Sequence, residues 1–252
     1  MPIHKSEAIV VRSRDLRETS LILTFYTKDF GKINGVVKGA RTSHAQFGGG
    51  ALEPFAHDEI VFYERKRSNL FLVSQCDLID FFYAIRSDLE RIAYASYLLE
   101  LLDSLTPAGD TNPDIFELLV KSLTFLSGKA SPRRVARVFE IRLVKLLGLM
   151  PVLASCVSCS GSDLKDARFS FRLGGLVCKK CSAADKLSHF ILPGTVEFIK
   201  RVETSNFDMV TRIKVSERVG RELEPLLRKV LDYHIERRLN TVTFIKSIQY
   251  SH

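Results

Sequence analysis

The sequence predicts an α+β protein: a small N-terminal β-barrel, then helices, with a metal-binding ribbon set into the helical part. Three observations carry this. Short β-branched runs separated by turn signals fill the first 80 or so residues. From about Asp80 the apolar residues recur at helical spacing. Within the helical part stand Cys156 and Cys159, then eighteen residues, then Cys178 and Cys181.

The barrel comes first. Residues 8–11 (Ala-Ile-Val-Val) form one strand and residues 19–26 a second, in which polar and apolar positions partly alternate. Lys28-Asp29-Phe30-Gly31 is a turn, residues 33–37 a third strand, residues 60–63 part of a fourth, and residues 70–74 the start of a fifth. Between the third and fourth lies a basic loop, Lys38 to His44, followed by Gly48-Gly49-Gly50. Lone Cys76 sits in an alternating apolar segment and reads as a buried small hydrophobe.

The helices follow. Residues 88–102 are apolar on nearly every side, which predicts a buried helix. Asn112-Pro113 is a helix start, with a capping side chain before Pro at the first helical position. Ser131-Pro132 repeats it, and that helix should run to Leu147 and stop at Gly148, with Pro151 beyond. The helical pattern should resume around Phe190. Val219, Leu223, Leu226, Leu227, Val230, Leu231 and Ile235 share one face of a last helix, which Pro225 should kink or divide.

The cysteines have the spacing of a four-thiolate metal site. Each C-x2-C pair aims two sulfurs at one ion, and four sulfurs suit tetrahedral zinc. A full thiolate shell leaves no open position for water, so such a metal is structural and not catalytic. Gly161, two residues after Cys159, is the expected positive-φ residue of the first knuckle. The alternative is two disulfides, which a chain whose start carries no apolar targeting segment rarely keeps.

Charge points to a polyanionic partner. The 252 residues carry 37 Lys and Arg against 29 Asp and Glu, a net charge of +8. The excess is concentrated. Residues 1–50 hold eight cations against four acids, and residues 129–150 hold six (Lys129, Arg133, Arg134, Arg137, Arg142, Lys145) against Glu140 alone. A small barrel with basic loops is a single-strand platform when aromatic rings are free to stack on bases, and Phe25, Tyr26, Phe30 and Phe47 are the candidates. None of the six histidines falls in a metalloprotease or nucleophile motif, and the glycine run lacks the Lys-Ser/Thr of a phosphate cradle. No catalytic residues are predicted. No stretch reaches membrane-spanning length, and the most apolar one, residues 92–102, contains Glu100. A cytoplasmic location is expected.

In order along the chain stand Thr19-Ser20-Leu21-Ile22-Leu23, Gly31-Lys32, Val37-Lys38-Gly39-Ala40-Arg41 and Leu52-Glu53-Pro54-Phe55. Arg137-Val138-Phe139-Glu140-Ile141-Arg142-Leu143 and Leu146-Leu147-Gly148-Leu149-Met150-Pro151 then lead into the first cysteine pair. Taken together these segments resemble RecO, a family of bacterial recombination mediators and DNA repair proteins, over nearly the whole chain. The resemblance implies an N-terminal OB-fold, a helical bundle and an inserted zinc ribbon, with domains at 1–80, 81–151, 152–185 and 186–252. It implies nucleoid-associated, non-enzymatic work: binding single- and double-stranded DNA, annealing complementary strands and, with RecR, helping load RecA onto strands coated by single-stranded-DNA-binding protein. Some relatives lack the cysteines, which makes zinc an optional stabiliser in the family.

On this reading Lys38 and Arg41, with Arg12, Arg14 and Arg17, neutralise phosphates. Arg137 matches the basic position expected to meet the acidic, Phe-ended tail of the single-stranded-DNA-binding protein; the competing reading is an ion pair with Glu140 three residues on. Two other functions fit less of the chain: a zinc-ribbon RNA-binding factor and a metal-dependent nuclease.

Overall fold

The computed structural model describes residues 2–40, 50–64, 68 and 70–250. They form two compact units, residues 1–136 with 237–252, and residues 137–236.

In the first unit β1 (Ile3–Leu16), β2 (Ser20–Thr27), β3 (Gly31–Val37), β4 (His57–Tyr63) and β5 (Phe71–Asp80) close into a barrel in the order β1-β2-β3-β5-β4. Only the β3–β5 pairing is parallel, so the closure is OB-like. Ala8, Val10, Leu23, Phe25, Ile60 and Phe62 are among the residues that fill the interior. A bulge between Val10 and Arg12 re-phases β1. Val10 and Val11 are therefore both buried, while Arg12 and Arg14 fall opposite Thr24 and Ile22, outside the Leu23–Phe25 row that faces the core. Gly31 holds the expected turn at φ +61°, and a Cβ there would sit 2.1 Å from the Asp110 carbonyl oxygen.

Cys76 is buried as expected, but it has polar company. Its thiol donates to Asp58 Oδ2 at 3.3 Å, and the Leu52 amide donates to the same oxygen at 3.4 Å. Asp58 has no exposed surface, and burial pushes its carboxyl up to about 6.

The unit continues with α1 (Tyr83–Arg86), α2 (Leu89–Leu105), α3 (Pro113–Ser127) and the C-terminal α9 (Asn240–Tyr250). α2 and α3 are capped by side chains, α3 at the anticipated Asn112-Pro113 start, and the next helix begins at Pro132 behind Ser131 as expected. Asp88 accepts from the Arg91 amide at 2.9 Å, and Asn112 from the Ile115 amide at 3.2 Å with Pro113 leading the helix. On α2, Ala93, Tyr94, Tyr97, Leu98, Leu101 and Leu102 are all buried. The boundary between the units falls within α4 (Pro132–Leu146). Gly148 ends it at φ +71°, with its amide donating to Lys145 O and the Leu149 amide to Val144 O.

The second unit contains a three-stranded sheet, β7-β6-β8, from β6 (Arg168–Ser170), β7 (Gly175–Val177) and β8 (His189–Phe190), together with α5 (Lys179–Ser182), α6 (Pro193–Thr204), α7 (Phe207–Arg212) and α8 (Glu217–Asp232). Phe190 therefore belongs to a strand, paired with Arg168, and helix resumes three residues later than expected. Pro225 does not divide α8. The buried row Leu223, Leu226, Leu227, Val230 and Leu231 outweighs the one backbone hydrogen bond a proline forfeits. The Glu222 carboxylate accepts from the Leu192 amide at 2.9 Å and from the Thr195 hydroxyl, capping α6. Among the described residues no helix is long and apolar enough to cross a membrane.

Candidate metal centre and nucleic-acid surface

The ribbon gathers its four sulfurs. The Sγ atoms of Cys156, Cys159, Cys178 and Cys181 all lie within 4.8 Å of one another, and none of the four is in a disulfide. Cys159 and Cys178 sulfurs are 3.9 Å apart, close to the edge of about 3.8 Å that four Zn–S bonds of 2.3 Å would subtend. The first knuckle is tied by Ser160 N to Cys156 O at 2.8 Å and Cys156 N to Gly161 O at 2.9 Å. The residue at positive φ is Ser160, at +59°, and not Gly161. The left-handed turn falls directly after the second cysteine, one position earlier than expected. The second knuckle opens α5, with Cys178 at its N-cap. The Cys178 amide donates to Cys156 Sγ at 3.3 Å. That bond, helped by the amides of Cys159 and Ser158 and opposed by burial, holds the Cys156 thiol down at about 6. Four convergent sulfurs within 4.8 Å of one another fit a single tetrahedral thiophilic ion.

The barrel cations separate into two groups. Register places Arg14, Arg17 and Lys38 at one end of the β1–β2–β3 sheet. Asp15 pairs with Leu21 and Leu21 with Val37, so the β1–β2 turn holding Arg17 and the residue after β3 stand side by side. All three side chains are exposed. Arg41, the fifth predicted phosphate ligand, and Phe47 lie outside the described residues. Arg12 is different. Its Nη2 is 2.9 Å from Asp103 Oδ2 on α2, and it shares that carboxylate with Lys32 Nζ at 3.0 Å and Arg237 Nη2 at 2.7 Å. Burial would raise the Asp103 carboxyl, but hydrogen bonds from Arg237 and Lys32 hold it below the usual carboxylate range. Nothing local in the sequence marks this cluster, whose cations lie 71 to 134 positions from Asp103.

The stacking candidates are mostly interior. Phe25 and Tyr26 have no exposed surface. Phe30 is half-buried, edge-on to Phe62 at 5.2 Å and to His4 at 4.8 Å. Phe25 and Tyr26 thus fill space, and Phe30 keeps only part of its ring exposed.

The basic window around α4 is also partly committed. Arg137 Nη2 lies 2.7 Å from Glu140 Oε1, with Glu140 only 1% exposed. Arg142 donates to the Ser205 carbonyl, its guanidinium 5.2 Å from the Phe207 ring centre, and Lys145 donates to Glu203 O at 2.8 Å. These two cations satisfy carbonyls at the C-terminal end of α6. Val138, Phe139 and Leu143 are fully buried.

Comparison with known proteins covers most of the chain. Residues 1–82 match the family described as "Recombination protein O N terminal" and residues 86–242 the family described as "Recombination protein O C terminal". A "DNA repair protein RecO" of Pelotomaculum thermopropionicum is 36% identical over 247 residues, covering 97% of this chain and 94% of the relative. Proteins of that name from Alkaliphilus metalliredigens and Desulforamulus reducens are 33% and 34% identical, each covering 97% of this chain and 99% and 94% of the relative.

Proposed function

The chain belongs to the RecO family of DNA repair proteins, and from that premise we propose that it is a non-catalytic recombination mediator. It binds single- and double-stranded DNA, anneals complementary strands and, with RecR, helps load RecA onto strands coated by single-stranded-DNA-binding protein, whose acidic tail it meets near Arg137. Its domains are those at 1–80, 81–151, 152–185 and 186–252. One zinc ion held by Cys156, Cys159, Cys178 and Cys181 stiffens the ribbon.

The observation that carries the DNA-binding reading is the shared end of the β1–β2–β3 sheet, where Arg14, Arg17 and Lys38 are exposed together. Cations so placed displace counterions from a phosphate backbone whatever its sequence, and by screening two strands at once they promote annealing. Arg41, three positions after Lys38 in the sequence, is assigned the same role. Arg12 contributes less, because Asp103 already engages it.

The test is a salt titration of duplex binding by fluorescence anisotropy. Changing Arg14 and Lys38 together to Ala should weaken binding to all sequences and shallow the log–log salt slope by about two. A double variant that binds like the parent at every salt concentration would remove this end of the barrel from the contact surface.

A further inference from the structure

The second unit carries a concave site that the reading above does not use. A hollow of about 620 Å³ lies between the loop after α4, the β6–β7 hairpin and the end of α8. Its wall is apolar and aromatic, with Phe171 on the hairpin and Tyr233 at the end of α8. Its charged lining is all of one sign: Arg172 and Lys229 line it, with His234 beside them, and no carboxylate does.

The geometry of these groups is specific. Lys229 Nζ lies 5.1 Å from the centre of the Phe171 ring and is in no ion pair among the described residues, so its ammonium is held by a ring and open on its other side. The Arg172 side chain is 63% exposed and only 3.9 Å at closest from Asp185. Tyr233 is 82% exposed, its ring edge-on to His234 at 5.2 Å and 83°. Leu173 adds a further exposed apolar side chain at 38%. Tyr233 lies at the hollow with its ring accessible and contributes nothing to the core.

We infer that this hollow is a second nucleic-acid site, which takes unpaired bases of a single strand on Tyr233 and Phe171 and the adjoining phosphates on Lys229 and Arg172. Aromatic faces beside cations are the recognition chemistry of single strands, in which every base offers a π-face and every linkage a charge. A duplex has no free base faces, so this site discriminates by strandedness. An acidic peptide with an apolar anchor is the competing occupant, but it needs an enclosing slot, and Tyr233 stands out from the wall. The inference rests on the DNA-binding reading and adds a base-contacting surface in the second unit; of the barrel candidates among the described residues, Phe25 and Tyr26 are interior.

The experiment uses the full chain and labelled oligothymidylate, single-stranded and as a duplex of equal length. Tyr233→Ala should weaken single-strand binding by about 5- to 100-fold, the effect of losing one stacked base, and leave duplex binding within twofold. Tyr233→Phe should bind like the parent, because it keeps the ring. Lys229→Ala should lower single-strand affinity and shallow its salt slope. Equal single-strand affinity in the parent and Tyr233→Ala would overturn the inference while leaving the barrel reading intact. Equal losses for single strand and duplex would also overturn it. Loss of binding to an acidic, Phe-ended peptide without loss of single-strand binding would reassign the hollow to a peptide. A parent that binds no DNA would defeat the barrel reading and this inference together.

Discussion

Asp103, near the end of α2, holds Lys32 of β3 twice, through its carboxylate at 3.0 Å and its own carbonyl oxygen at 2.6 Å. The same carboxylate receives Arg12 of β1 and Arg237 of the returning C-terminal segment. One acid, 12% exposed, thus ties two barrel strands and the chain end to α2.

Removing that acid should destabilise the first unit. Asp103→Asn leaves Lys32, itself 14% exposed, without its counter-charge, at a cost of about 3 kcal/mol. Because the folded-state carboxyl lies below its ordinary value, the stabilisation is full above the unfolded pKa of about 4 and is lost as pH falls through the lower folded value. Urea melts of the parent and variant should therefore converge in strong acid. A variant as stable as the parent at pH 7 would show that the cluster is neutral.

Asp58 should act in the opposite sense. Its folded carboxyl keeps a proton up to about pH 6, while the unfolded one releases it near 4. Between those values the folded state binds more protons, so stability falls as pH rises. The full effect is about 2–3 kcal/mol, reached above pH 6. Asp58→Asn keeps an acceptor for the Leu52 amide and the Cys76 thiol and carries no charge. It should flatten the profile between pH 4 and 7 and raise neutral stability. Parallel denaturant melts at pH 4.5 and 7.5 check this, and an unchanged difference between the two would exclude Asp58 as its source.

Of the fold, local signals were the readable part. Four anchors were legible in the sequence: Asn112-Pro113, the Gly148 stop, the strand runs of the barrel and the cysteine spacing. Each depends on residues within a few positions of one another or on a fixed spacing. What was not legible depends on distant contacts. Arg12 reads as a phosphate ligand until Asp103, 91 positions on, is seen beside it. Phe25 and Tyr26 are as aromatic as any stacking residue, and only tertiary packing buries both, Phe25 in the barrel core and Tyr26 on the opposite face of β2. Pro225 carries a real cost, which the buried leucine row of α8 covers.

The ribbon should hold one zinc per chain in freshly purified, reduced protein. Cys178→Ser removes a ligand but leaves a good N-cap residue at the start of α5, so metal content and melting temperature should fall together through the lost metal alone. Barrel-dependent duplex binding should persist, since those cations belong to the other unit. Elemental analysis finding no zinc would defeat the metal assignment.

Arg137 needs a conservative variant. Arg137→Ala strands Glu140 without its cation and should cost about 3 kcal/mol or more of stability, whatever the residue binds. Arg137→Lys keeps the charge beside Glu140 but loses the planar fork that suits a carboxylate. In titrations with a labelled acidic, Phe-ended peptide it should bind weaker by about 1.5 kcal/mol, the lower value for a hydrogen bond to a charged group. Unchanged peptide affinity in a folded Arg137→Lys protein would take this residue out of the tail contact.

The return of residues 237–252 to the first unit sets an order of events at the ribosome. Residues 137–236 form a contiguous stretch and can complete their contacts as soon as they emerge. The barrel unit cannot, although its strands are made first. Its Arg237 arrives long after Asp103, and α9 starts on the Glu100 carboxylate, which accepts from the Asn240 and Thr241 amides at 3.0 and 2.9 Å. The N-terminal unit thus waits, incomplete, until residues 237–250 are made, and a nascent chain stalled before residue 237 carries a finished second unit and an unsealed first one.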